Sequence, residues 1–360
     1  MHDESVPMAT GCEFDSHRRA LVTRTLVAGG VLSSGMASLL VPTPAQANVK
    51  TVTVSLPGPS GGISIPFDLA SALGLDVAEG VKTRLRYVGG GGLVIQDLDT
   101  GNAEYGAFGL PAAMAANAKG PERLVGIAAY DNLPLYSLLV RSDRSTSIRR
   151  IADLKGRKVG AFSNSLSSRT TSHQMLEFVL RSANVSIDEV DVIATGQTYD
   201  SQSAAFIAKT VDATMCDEPI ATRLVKEKPG VELLASGNPS QRIPGLGFLR
   251  GFLGTRRSSI TADADTHARM VRMLGATLTW IDRNPTTRWA DVLGLSSTER
   301  QSLVDARARY GRLHRTDTKF SRKQLAETQS FVRASNQWVE AVQTYPIERM
   351  IETRWSGVTD

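Results

Sequence analysis

From Val52 onward, short apolar runs alternate with amphipathic stretches, and this order restricts the fold more than any single motif does. Such alternation is the signature of parallel strands joined by crossover helices, an α/β protein. "VTVSL" reads as a first strand and "PFDLASALG" as a first helix, with Pro66 in its first turn and Gly74 at its end. "TRLRYV" alternates with period two and runs into four glycines at 89–92. A helix "LVIQDLDTG", a strand "AEYGAF" and a helix "PAAMAANAKG" follow, then two β-rich runs, "LVGIAAY" and "LYSLLVR". The polar connector "SDRSTSIRR" precedes a second series. It runs strand "KVGAF", helix "SSRTTSHQMLEFVLRSAN", strand "VDVIAT", helix "DSQSAAFIAK", strand "VDATMC" and helix "EPIATRLVKE". "GNAEYGAFGLPAAMAA" and "KTVDATMCDEPIATRL" share one plan, with Pro111 and Pro219 at equivalent helix starts. After a second connector at 237–245 the apolar strand "GFLRGFLGT" returns. Residues 261–353 are helical by period, with Trp280, Leu293, Leu303, Phe331 and Trp338 on apolar stripes.

The first 47 residues stand apart from this pattern. Arg18, Arg19 and Arg24 precede "TLVAGGVLSSGMASLLV" and then "PTPAQA", which ends at Ala47. A basic start, an apolar run too short to span a bilayer comfortably and an A-x-A site make an export signal cleaved near Ala47. The paired arginines suggest the twin-arginine route, from which His17 and Thr23 depart. Export places the mature chain in the periplasm. Lys and Arg total 41 against 36 Asp and Glu, and loss of the leader's three arginines and four acids raises the net charge of +5 by one. The densest basic clusters, "RSDRSTSIRR" and "GTRR", hold no aromatics, so a nucleic-acid face is not expected. Cys12 leaves with the leader and Cys216 remains alone as a core thiol, which rules out an intrachain disulfide. No clustered His and Cys spacing suggests a metal. The run at 89–92 lacks the third glycine of a dinucleotide loop and is followed by no P-loop lysine, so no cofactor is expected.

Four segments, in order, carry a resemblance that spans nearly the whole mature chain: "DTGNAEYGAFGLPA", "IADLKGRKVGAF", "AKTVDATMCDEPIATRL" and "MLGATLTWIDRNP". They resemble the extracytoplasmic solute-binding proteins of ABC importers, in the sulfonate/nitrate/taurine-type branch. Thr210 stands where that family usually has Gly before "VDA". The resemblance implies a periplasmic-binding-protein fold of type II, two α/β lobes with ligand in the cleft between them. One lobe would hold 48–141 and 246–360, the other 142–245. It also implies a monomeric, non-enzymatic protein that carries a small organic anion to an inner-membrane permease and its ATPase. Two alternatives stay open within the resemblance: a carrier for a cationic or neutral heterocycle of the thiamine-pyrimidine kind, and a sensor subunit that presents its ligand to a membrane receptor. An enzyme on this fold that makes a thiamine pyrimidine would need clustered cysteines, which this chain lacks.

In open α/β sheets, ligands bind beyond the carboxyl ends of strands, where free N–H groups and the helix dipole favour an anion. Loops of that kind occur at Ser60, Gly61 and Gly62, at Gly90 and Gly91, and at Gly109 and Leu110. The second series adds Asn164, Ser165, Ser167 and Ser168, then Thr198 and Tyr199. Arg169, expected in a first helical turn, offers a fork for a sulfonate or a solvated charge. Arg250, inside an apolar strand, either reaches the cleft or pairs with a carboxylate such as Asp217. Phe108, Tyr130 and Tyr199 offer ring faces for an apolar tail, or are core aromatics. Asp217 and Glu218 accept from a cationic ligand group, or cap the helix behind Pro219.

Gly58-Pro59-Ser60-Gly61-Gly62 also satisfies G-x-S-x-G, the pattern of a hydrolase nucleophile elbow. An elbow needs its helix directly behind the serine, whereas Ile63, Ser64, Ile65 and Pro66 intervene here. The mature histidines His173, His267 and His314 fall in helical stretches rather than strand-end loops, so a Ser-His-Asp relay is not expected.

Overall fold

The computed structural model describes residues 49–360 apart from 60, 164–165, 167–168, 228–229 and 237–244. The export signal and the candidates Ser60, Asn164, Ser165, Ser167 and Ser168 lie outside the described residues.

Two five-stranded sheets organise the chain. The first contains β1 (Lys50–Leu56), β2 (Val81–Tyr87), β3 (Tyr105–Gly109), β4 (Leu124–Ala129) and the late strand β10 (Gly251–Arg256), in the order β2-β1-β3-β10-β4. The second contains β5 (Tyr136–Arg141), β6 (Lys158–Ala161), β7 (Asp191–Ala194), β8 (Ala213–Asp217) and β9 (Gly230–Ala235), in the order β7-β6-β8-β5-β9. In each, three parallel strands are followed by one antiparallel strand, β10 in the first and β5 in the second. Both sheets therefore follow one plan, and each takes its antiparallel strand from a chain segment that has just crossed from the other. Val52, Val54 and Leu56 on β1 are all buried, as expected of a parallel strand covered on both faces.

The helices that cross between strands are α1 (Ile65–Ala72), α2 (Leu75–Ala78), α3 (Gly91–Thr100) and α4 (Leu110–Ala118) around the first sheet. Around the second are α5 (Thr171–Ser182), α6 (Tyr199–Ile207) and α7 (Ile220–Glu227). On α5, Met175, Leu176, Val179 and Leu180 form a buried stripe at helical spacing. After β10 come α8 (Ser259–Ala262), α9 (Ala264–Arg283), α10 (Thr286–Leu293), α11 (Ser297–Tyr310), α12 (Arg322–Ala334) and α13 (Glu340–Thr344). The buried stripe of α9, Met270, Leu274, Leu278 and Ile281, lies over the first sheet, with α9 packed on α1 and α2.

Several details differ from the sequence reading. Tyr136–Arg141, expected with the first sheet, pairs with β8 and β9 in the second, so the chain crosses over at 130–135 rather than at 142. The C-terminal helices are not confined to the first sheet: α11 packs on α10 and α7, and α12 on both α4 and α5. Arg223 on α7 pairs with Glu299 on α11 at 3.3 Å, and Lys226 with Asp305. β9 is a strand the pattern did not suggest. Trp338, expected on an apolar stripe, is 86% exposed because it follows the end of α12, where the helical period no longer holds; Arg181 lies over its ring at 5.9 Å.

Candidate functional site

The parallel strands of both sheets end at one narrow cleft. Pro57, Gly58, Gly61, Ile63 and Ser64 follow β1, Gly91 opens α3, and Gly109 and Ala112 sit where β3 passes into α4. The opposite wall holds Tyr136, Phe162, Thr170, Thr171, Ser172, Gln197 and Asp217. The enclosed space is about 40 Å³. The walls approach most closely at Gly109, where a Cβ would overlap Thr171 Oγ1 and lie 2.9 Å from Thr171 Cβ. Gly62 meets Arg250 and the Glu218 carbonyl in the same way, at 2.8 and 2.9 Å from its would-be Cβ. Glycine at these positions is what permits the two walls to meet.

The starts of α1, α3, α4 and α5 all reach this cleft, each presenting a helix N-terminus. The first N–H of α4, that of Leu110, is already taken by the Arg250 carbonyl at 2.7 Å. At α5 the donors are left over. Thr170 and Thr171 are 3% and 4% exposed, and neither hydroxyl has a hydrogen-bond partner among the described residues. Thr170 occupies the N-cap position without a side-chain cap bond, so its hydroxyl is not spent on its own helix. Ser172 Oγ accepts from the Phe162 amide at 2.9 Å, and Gln197 Nε2 donates to the Phe162 carbonyl at 3.1 Å. These two bonds hold the backbone of Phe162 just after β6.

Behind the cleft lies a buried ion triad. Arg250 Nε donates to Asp131 Oδ2 at 2.6 Å and Nη1 to Asp217 Oδ2 at 2.8 Å, with the Tyr136 ring 5.6 Å from the guanidinium. Asp131 stands just after β4, Arg250 just before β10 and Asp217 at the end of β8, so one guanidinium ties both crossings to the second sheet. Burial pushes Asp217 up to about 6 against the pull of Arg250, and raises Asp131 for the same reason. Glu218, also raised by burial, accepts from the Thr222 amide at 3.0 Å and borders a small cavity with Gly62, Arg250 and His314.

The sequence candidates divide accordingly. Gly61, Gly91, Gly109 and Asp217 line the cleft. Gly90 caps α3, Thr198 caps α6 through Ser201, and Leu110 and Gly62 stand behind the lining. Arg169 is not in a helical turn: its φ of 43° precedes the start of α5, and its guanidinium is held by Glu177 and by the Ser335 carbonyl at 2.7 Å. Of the two readings of Arg250, pairing with carboxylates is the one observed. The three aromatics are structural. Phe108 packs on Phe252 with ring centroids 4.9 Å apart, Tyr130 stands edge-on to Phe67, and Tyr199 lies 3.6 Å under Arg223 and bonds to Glu227. Tyr136 and Phe162 supply the cleft's rings instead. Among the described residues, no lysine, arginine or histidine lines the cleft, and no group of His, Cys, Asp or Glu is arranged to hold a metal. His173, His267 and His314 are buried elsewhere; burial drives His314 down to about 3 and His173 to about 4.

Thr170, Thr171 and Ser172 are missed by the sequence reading because it starts α5 four residues early, at Ser167. The pair Thr170-Thr171 directly before an apolar stripe is an N-cap signal that would have found them.

Two sheets of one plan with a cleft at their strand ends define a periplasmic-binding-protein-like fold. A protein from Bordetella bronchiseptica RB50 shares it at TM-score 0.76 and 16% identity, over 85% of this chain and 95% of its own. The alkanesulfonate-binding protein SsuA from Xanthomonas axonopodis pv. citri, bound to MOPS, does so at TM-score 0.68 and 18% identity, over 84% and 98%. The periplasmic nitrate-binding protein NrtA from Synechocystis PCC 6803 does so at TM-score 0.63 and 10% identity, over 84% and 86%. No curated protein matches the sequence significantly. Residues 64–231 match the family model described as NMT1/THI5 like.

Proposed function

We propose that the protein is the periplasmic substrate-binding component of an ABC importer and that it carries a small organic anion. The observation that carries this reading is the pair of unpartnered hydroxyls of Thr170 and Thr171 at the start of α5, facing the helix starts of the first sheet across the cleft. Buried donors at a helix N-terminus suit anionic oxygens, and a ligand touching both walls stabilises their closed arrangement. No net cation is required at such a site, because hydroxyl and N–H dipoles supply the complementary charge. The leader ending at Ala47 supports export, and no described helix is long and apolar enough to cross a membrane. The absence of a described histidine along the cleft, with the intervening residues between Ser60 and α1, argues against a hydrolase. Calorimetry and thermal shift across alkanesulfonates, sulfate esters, nitrate, taurine and aromatic carboxylates test the reading. At least one class is expected to bind with a raised melting temperature; silence across the panel overturns it.

A further inference from the structure

The cleft is not uniformly a donor surface. Asp217 ends β8 in the second sheet at the position that Gly109 holds at the end of β3 in the first, each directly ahead of the matching proline helix. Where the first sheet offers a bare backbone, the second places a carboxylate that is 4% exposed. Its Oδ2 is committed to Arg250, but Oδ1 has no hydrogen-bond partner among the described residues, although Asp217 lines the cleft. Arg250 meets Asp217 only at Oδ2, its Nε being bonded to Asp131. Asp131 and Asp217 share that one guanidinium, so this end of the cleft carries an excess of acceptors. A bare anion filling the space would set one anion against another, and the buried Oδ1 would stay unpaired, which is unfavourable.

Resting on the anion reading above, we infer that the ligand is bipolar: an anionic group at the start of α5 and, within the same small molecule, an N–H donor that Asp217 Oδ1 accepts. An ammonium, an amide or a ring N–H meets that requirement; nitrate, sulfate and simple alkanesulfonates do not. Asp217 is then the residue that sets specificity, and Thr170 and Thr171 hold the common anionic end.

Matched probes decide the matter: 2-aminoethanesulfonate against ethanesulfonate, and β-alanine against propionate, each titrated calorimetrically into the full mature protein. The titrations are run at pH 7.5, where Asp217, raised only to about 6, is ionised. At least one amino probe is expected to bind ten or more times more tightly than its partner without nitrogen. In Asp217→Asn that preference is expected to shrink to within about threefold, the fold being checked by circular dichroism. Equal or tighter binding of the probes without nitrogen overturns the bipolar ligand and leaves the anion reading intact. A preference that survives in Asp217→Asn overturns the role of Asp217. If that variant fails to fold, the wild-type comparison still decides between the ligands. Silence from all four probes overturns the bipolar ligand, while the wider anion panel separately decides the parent reading.

Discussion

Replacing Arg250 by Met removes the one cation that faces both Asp131 and Asp217 while filling much of its volume. All three side chains are essentially buried, so solvent cannot take over the charge. Removing one partner of a buried pair costs about 3–5 kcal/mol because the remaining charge is uncompensated. Two carboxylates lose their partner here, but either can take up a proton, and each pH unit that must be worked against costs about 1.4 kcal/mol. Asp217 already sits near 6 with the guanidinium in place, and its pull is the largest influence that lowers it. Without it both carboxyls rise further and are neutral in the folded variant at mildly acidic pH. The loss is therefore expected to be about 4 kcal/mol at pH 7.5. The sign of its pH dependence follows from linkage. A carboxyl raised in the folded state contributes stability that is complete below its unfolded value near 4 and is lost as pH rises through the folded one. Raising it further in Arg250→Met makes the deficit against wild type grow from about pH 6 upward and fall to about half by pH 5. Urea unfolding followed by circular dichroism at both pH values measures it, with Arg250→Lys expected to lie between. A loss under about 1 kcal/mol at pH 7.5, or one that does not shrink in acid, refutes the account of the triad.

Thr171→Val keeps shape but removes a hydroxyl that has no hydrogen-bond partner among the described residues, so folding stability should hold or rise by about 1 kcal/mol while affinity for a bound sulfonate or carboxylate falls at least about tenfold; a destabilised variant with unchanged affinity speaks against a ligand role. Gly109→Ala places a methyl against Thr171, and overpacking of about 1–3 kcal/mol on the closed arrangement alone translates to roughly 5- to 150-fold weaker binding. Calorimetry checks the affinity and small-angle scattering the wider cleft; unaltered binding means the walls do not meet there. Cys216 is buried with its thiol held well above the usual range by burial, so Ellman's reagent should label it only at the rate of unfolding. Rapid stoichiometric labelling of native protein contradicts that placement.

Much of this architecture is legible in the sequence because parallel strands and crossover helices have different hydrophobic periods. "VTVSL", "KVGAF" and "VDATMC" each announce a buried strand, and Pro111 and Pro219 mark matching helix starts. β9 escapes because it is an edge strand behind a connector, with too little alternation to stand out. The start of α5 is misplaced because "SSRTT" runs into the helix with no Gly or Pro to mark a break, and the left-handed backbone at Arg169 leaves no trace in composition. At the site, the glycine and helix-start positions Gly61, Gly91 and Gly109 are readable, since they follow from local chain geometry. For Arg250 the sequence offers Asp217, 33 residues away, as one of two readings, but not the second partner Asp131, which stands 119 residues away along the chain. Which carboxylate faces which guanidinium is settled only by the sheet order.

The reciprocal exchange of antiparallel strands has a consequence for how the molecule must be made. β4 lies at the edge of its sheet and reaches β3 only through β10, a strand synthesised more than a hundred residues later, while in the second sheet β5 precedes both strands it pairs with, β8 and β9. The first sheet cannot finish its hydrogen-bonded ladder until β10 is made, so β3 and β4 wait on a strand that follows the whole of the second sheet. A chain truncated before Gly251 would leave β3 and β4 with unpaired facing edges, exposed to any neighbouring strand. Contacts between residues so distant in sequence slow the final step of folding. The same long-range stitch that sets the two walls of the cleft face to face thus makes the first sheet a late product of synthesis.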